Sequence, residues 1–124
     1  VCPEEYCPDM DLVKKAKAKG LSEININHDP CAGVKDSDVI YTDVWASMGQ
    51  KEEADERRKI FQPFQVNKEL MNNTSKNTLF MHCLPAERGI EVTDDVCDSE
   101  NSIIFDQAEN RMHMQNAIML SLLS

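Results

Sequence analysis

Three stretches of the chain carry side chains that could act together chemically. The run FMHCLPAERG, residues 80–89, leaves a short apolar segment by setting an imidazole, His82, beside a thiol, Cys83, ahead of Leu84 and Pro85. DVWASMG, residues 43–49, offers the carboxylate of Asp43 and the hydroxyl of Ser47. AENRMHMQ, residues 108–115, brings the guanidinium of Arg111. A thiol beside an imidazole suggests a nucleophile and its base. Neighbours on a strand point to opposite faces, however, so His82 and Cys83 do not naturally face each other. A carboxylate, a thiol and an arginine suit a different task. The carboxylate can hold a cationic amine while the arginine stabilises charge developing on a carbonyl oxygen. Main-chain carbonyls of a fixed turn can receive a carbamoyl or amide NH2. That is group transfer to an amine by positioning, with no metal and no cofactor.

Each of these residues also has an ordinary role. Asp43 can cap a turn, Cys83 can fill a core as a small apolar residue, and Arg111 can pair with Glu109 or Asp106 at the surface for little gain. Their placement on the expected elements is what raises them above that. Residues 9–19 read as a helix capped by Asp9 or Asp11, with Leu12, Val13 and Ala16 inward and Gly20 as its stop. Ile24 and Ile26 alternate with polar neighbours as in a strand, and residues 39–41 form a second strand ending near Asp43. Residues 51–61 read as a helix with Ala54, Ile60 and Phe61 inward, and Asn67 caps a short helix through Leu70 and Met71. Strand 79–82, a short helix near 93–98, strand 102–105 and a final helix from about 107 complete the order.

Strands alternating with helices imply one α/β domain, a parallel sheet flanked by helices in a Rossmann-like three-layer arrangement. Ligands of such sheets bind beyond the carboxyl ends of the strands. Asp43, His82 with Cys83, and Arg111 all fall at that edge. The final helix is apolar on most of its circumference (Met112, Met114, Ala117 to Leu120, Leu122, Leu123), which demands cover on all sides. A small sheet cannot supply it, so a body outside the 124 residues is expected to.

Composition excludes several classes. A net charge of −9 argues against nucleic acid. The cluster Arg57-Arg58-Lys59 follows four acids and reads as a solvated helix face. The apolar tail is too short to span a bilayer. Five cysteines without a C-x-x-C pair suit a reduced intracellular protein. Cys2 and Cys7 resemble half a metal site, but no second pair follows, so no metal is expected. With only 4 glycines and none at G-x-G spacing, a nucleotide-binding doubly wound domain is disfavoured.

HCLPAERG closely resembles the His-Cys-Leu-Pro signature of ornithine carbamoyltransferases, and Asp43 to Gly49 resembles their Asp-x-x-x-Ser-Met-Gly loop. FQVNKELM, EVTDDV and FDQAENRMHMQNAIMLSLL are also similar to the carboxyl-terminal half of this family. The resemblance implies that residues 1–124 are the ornithine-binding domain, lacking its first strand and helix together with an ornithine-binding Asn, and that helix 107–124 packs on an absent carbamoyl phosphate domain. It implies that Asp43, Ser47 and Met48 hold the α-amino and α-carboxylate groups of L-ornithine, Met48 through its backbone. Cys83 would lie near the attacking amine, next to Asp43. The carbonyls of Cys83 and Leu84 would receive the carbamoyl NH2, and Arg111 would bind carbamoyl phosphate oxygen. His82 and Pro85 would be structural, with a cis Leu84–Pro85 bond. The Ser-Met-Gly triplet favours ornithine over the acceptors of related transcarbamoylases; Glu87 has no assigned role. The activity implied is citrulline formation in a cytoplasmic or mitochondrial homotrimer assembled through the missing domain. The competing reading is a non-catalytic module that binds an amino acid or pairs with a subunit.

Overall fold

The computed structural model describes residues 1–46 and 51–123, with the backbone alone at 51–53. Helix α1, Met10–Ala18, begins where Asp9 Oδ1 accepts from the amides of Asp11 (2.8 Å) and Leu12 (3.3 Å). It ends at Gly20, which takes a φ of 64°. Helix α2, Pro30–Val34, repeats this start with Asp29 as cap and proline in the first turn. Strand β1, Val39–Thr42, helix α3, Lys51–Phe61, and helix α4, Lys68–Met71, follow. Asn67 caps α4 through Leu70 N, at 2.9 Å. Strand β2, Leu79–His82, helix α5, Asp94–Cys97, and helix α6, Ile104–Leu123, complete the chain.

β1 and β2 pair in parallel with Val39 opposite Leu79 and Thr42 opposite His82. The pleat sends Ile40 and Phe80 to the covered face, where they join Val34, Val66, Leu70, Val92, Val96, Cys97 and Ile104 in the core. Val39, Tyr41 and Leu79 leave the other face open. Crossovers through α3 and α4 account for the parallel pairing, because a hairpin cannot join parallel strands.

Four expectations change. Ile24 and Ile26 make no strand. They are half-buried between exposed Glu23 and Asn25, so the alternation reports one-sided burial without a ladder partner. The strand expected at 102–105 reduces to a single bridge, Ser102 to Phe80. Ile103 N donates to Phe80 O at 3.0 Å, but Ile103 O already accepts from Gln107 N at 2.9 Å. Helical bonding therefore captures the chain and α6 begins at Ile104, earlier than residue 107. In α1 no residue is buried; Leu12 is 63% exposed and Ala16 is exposed too, so neither faces a core here. In α3, Arg58 and Lys59 are exposed as expected but Arg57 is half-buried: Nη1 donates to Trp45 O at 3.3 Å and the guanidinium lies 5.2 Å from the Tyr6 ring centre.

Candidate functional site

Parallel pairing in register dictates what meets at the strand ends. Thr42 opposes His82, so the next residues, Asp43 and Cys83, leave the sheet side by side. The neighbouring Asp43 carboxylate is the leading reason the Cys83 thiol pKa lies above the ordinary value; burial adds to this and the Tyr41 hydroxyl opposes it. At neutral pH Cys83 is therefore a thiol beside Asp43, not a thiolate nucleophile. Asp43 itself is exposed, and its Oδ1 accepts from Val44 N at 2.7 Å. Arg111, two turns into α6, reaches back so that Nη1 donates to Cys83 O at 3.2 Å. It does not pair with Glu109, which lies 3.2 Å from His113 instead. An acid, a thiol and a guanidinium thus share one rim.

His82 points the other way, into the covered face with Phe80, and is 1% exposed. Its Nδ1 accepts from Leu84 N at 2.9 Å, so Nδ1 carries the lone pair and the ring proton sits on Nε2. Nε2 lies 3.2 Å from Glu91 Oε1, off the line of a good hydrogen bond. The same Glu91 oxygen accepts from Glu87 N at 2.6 Å. This arrangement closes the HCLP turn from within: Leu84 sits at φ 50°, a left-handed conformation that a non-glycine residue adopts at some cost. The His82 acceptor holds it there. The Leu84–Pro85 bond is cis.

Gln107 ties the rim together. Its Oε1 accepts from His82 N at 3.1 Å and its Nε2 donates to Tyr41 OH at 3.2 Å, linking β1, β2 and α6. Behind Asp43, the Trp45 ring packs on Phe61, 5.9 Å between centres, and Phe61 in turn meets Tyr6 at 4.8 Å. A cavity of about 580 Å³ runs along β1 from Val39 to Asp43, walled by Gly33, Val34 and Phe61. Ser47 and Met48 lie outside the described residues.

Glu91, Gln107 and Tyr41 were not foreseen as parts of the site. The sequence offers one weak sign for Glu91, a carboxylate enclosed by Ile90 and Val92. For Gln107 and Tyr41 there is none. Glu87, without a role from sequence, contributes its amide to Glu91, and its carboxylate lies 3.6 Å from Arg58. Elsewhere, Cys2, Cys7 and His28 bring potential metal-ligand atoms within 4.8 Å of one another, although no metal was expected.

A parallel sheet with flanking helices, its strand ends gathering an acid, a thiol and an arginine beside an HCLP turn, points to the transcarbamoylase class. The family model for the Asp/Orn binding domain of aspartate/ornithine carbamoyltransferases matches residues 1–122, and the chain belongs to this family. It is 61% identical over 120 residues to the ornithine carbamoyltransferase of Thermococcus kodakarensis, covering 94% of this chain and 38% of that protein. It is 57% identical over 122 residues to the chloroplastic ornithine carbamoyltransferase of Pisum sativum, covering 98% and 32%. The solved structure of ornithine carbamoyltransferase from Pyrococcus furiosus superimposes with a TM-score of 0.84 at 57% identity, over 94% of this chain and 38% of that one. The chain spans about two fifths or less of the length of these relatives.

Proposed function

We propose that the whole protein carrying this chain transfers the carbamoyl group of carbamoyl phosphate to the side-chain amine of L-ornithine, giving L-citrulline and phosphate. The observation that carries this reading is the meeting of Asp43, Cys83 and Arg111 at one strand-end rim. In that scheme Asp43, with Ser47 and Met48, holds the amino-acid end of ornithine. Cys83 stays protonated and lines the path of the attacking amine. The carbonyls of Cys83 and Leu84, fixed by the His82 turn, accept from the carbamoyl NH2. Arg111 already donates to Cys83 O. It is therefore poised to shift onto a carbamoyl phosphate oxygen a short distance away, while the carbonyl keeps a second lone pair for the substrate. Catalysis here is orientation and charge stabilisation, with no covalent intermediate and no cofactor.

The remaining phosphate contacts belong, in this proposal, to a carbamoyl phosphate domain outside these residues. That domain also covers α6 and forms a homotrimer; a further strand pairs along the open edge of β1, where the cavity lies. The chain alone is then inactive. Among the described residues no helix is long and apolar enough to cross a membrane. The enzyme of this proposal works in the cytoplasm or in mitochondria. The test is ornithine-dependent citrulline production by the whole protein. Asp43→Ala should lower kcat/KM about 100-fold, the loss of one charge-assisted contact of about 3 kcal/mol. Unchanged kcat/KM would remove Asp43 from the site.

A further inference from the structure

We propose that Cys2, Cys7 and His28 form a binding site for a zinc ion. Two sulfurs and one ring nitrogen of these residues lie within 4.8 Å of one another. In a tetrahedral site with Zn–S of about 2.3 Å and Zn–N of about 2.0–2.1 Å, ligand atoms stand roughly 3.5–3.8 Å apart. The gap is about 1 Å, within reach of side-chain rotation for Cys7 and His28, which are both exposed. A thiolate pair with an imidazole is the donor set that zinc selects over the harder cations, with a fourth position left for water.

The surroundings are built for such a role. His28 Nδ1 lies 2.7 Å from Cys2 O, so it donates to that carbonyl and leaves Nε2 with its lone pair. An imidazole oriented through one nitrogen by a backbone carbonyl is the usual setting of a metal-bound histidine. Cys2 is held as well, its amide donating to Asn27 O at 3.1 Å.

The site also has something to stabilise. Cys7 precedes α1 and His28 follows it, and α1 buries no residue of its own. An ion joining Cys7 and His28 would close that loop at its base, where packing does not. Neither the rim around Asp43 nor the proposed transfer reaction uses these residues.

The experiment takes the whole protein, reduced, and titrates Zn²⁺ against a chromophoric chelator, with Co²⁺ as a spectroscopic stand-in. The expected result is one ion per chain, tetrahedral cobalt bands with sulfur-to-cobalt charge transfer, and a higher Tm with saturating Zn²⁺. Cys2→Ser, Cys7→Ser and His28→Ala should each weaken binding at least about 100-fold, while Cys31→Ser, outside the cluster, leaves it unchanged. Because Cys7 and His28 are exposed, their variants fold, and circular dichroism checks this. Three results would overturn the proposal. They are no ion bound at micromolar Zn²⁺, binding retained in the three variants, or binding lost only in Cys83→Ser, which would move the ion to the rim.

Discussion

The strand-end rim and the outer length of α6 solve opposite problems. At the rim, Phe80, His82 and Glu91 are at most 1% exposed, and Gln107 with the HCLP turn gives the His82 amide, His82 Nδ1 and Glu91 Oε1 hydrogen-bond partners. Along α6 only Ile104 is buried; Met114, Leu120, Leu122 and Leu123 face solvent. The buried supports of the rim come from within this chain. The helix presents apolar surface that nothing among the described residues covers. A site that must hold substrate groups within fractions of an ångström needs its supports close by. An apolar helix can take its cover from any body that excludes water.

The largest expected effect tests the rim's foundation. Phe80→Ala empties the centre of the core and should cost about 3–5 kcal/mol in urea unfolding. A loss below about 1 kcal/mol would mean that β2 is not the anchor. Next is Leu120→Ala in the whole protein. If the proposed domain covers α6, the change should cost about 2–3 kcal/mol. A shift within about 0.5 kcal/mol, as for a surface residue, would show that α6 stays in water.

Glu91→Ala leaves the Glu87 amide without its acceptor and removes the carboxylate beside His82 Nε2, and should cost about 1–3 kcal/mol. Because His82 holds the Leu84 turn, kcat should fall more than KM rises. Equal stability and kinetics would reduce the buried pair to packing. Glu91 Oε2 has no donor among the described residues, which places the expected cost toward the lower end.

The smallest effect concerns the rim's outer margin, where Arg88 binds Asp98 at 2.7 and 2.8 Å and Asp94 at 2.9 Å. The Arg88 guanidinium lowers the Asp98 pKa. Its folded-state value is thus below the unfolded one, so the contribution is present above the ordinary carboxylate range and is lost as pH falls through the depressed value. Arg88→Gln should lower stability at pH 7 slightly and make no difference once Asp98 is protonated, so the stability-against-pH curve of the variant is flatter on its acid side. These groups are exposed and screened.

Several parts of this arrangement were legible in the letters. Asp9 and Asn67 as caps, Gly20 as a stop and the two strands need only local chemistry, and they stand where the spacing put them. The helix patterns of α1 and the alternation at Ile24 and Ile26 misled because periodicity reports which side is apolar, not whether anything packs there. Strand 102–105 was lost to α6 for a similar reason: Ile103 can serve either a ladder or a helix, and the competition is settled by its neighbours in space.

By itself the sequence determined most of the helices, the two paired strands, the turn chemistry and the residue types at the strand ends, since those depend on near neighbours along the chain. Only the tertiary structure decided that Arg111 turns to Cys83 O, that His82 is committed inward to Leu84 and Glu91, and that His28 joins Cys2 and Cys7. These contacts, between two and 28 positions apart along the chain, depend on how helices and strands pack. Packing is a sum of many weak distance-dependent terms that no local pattern contains.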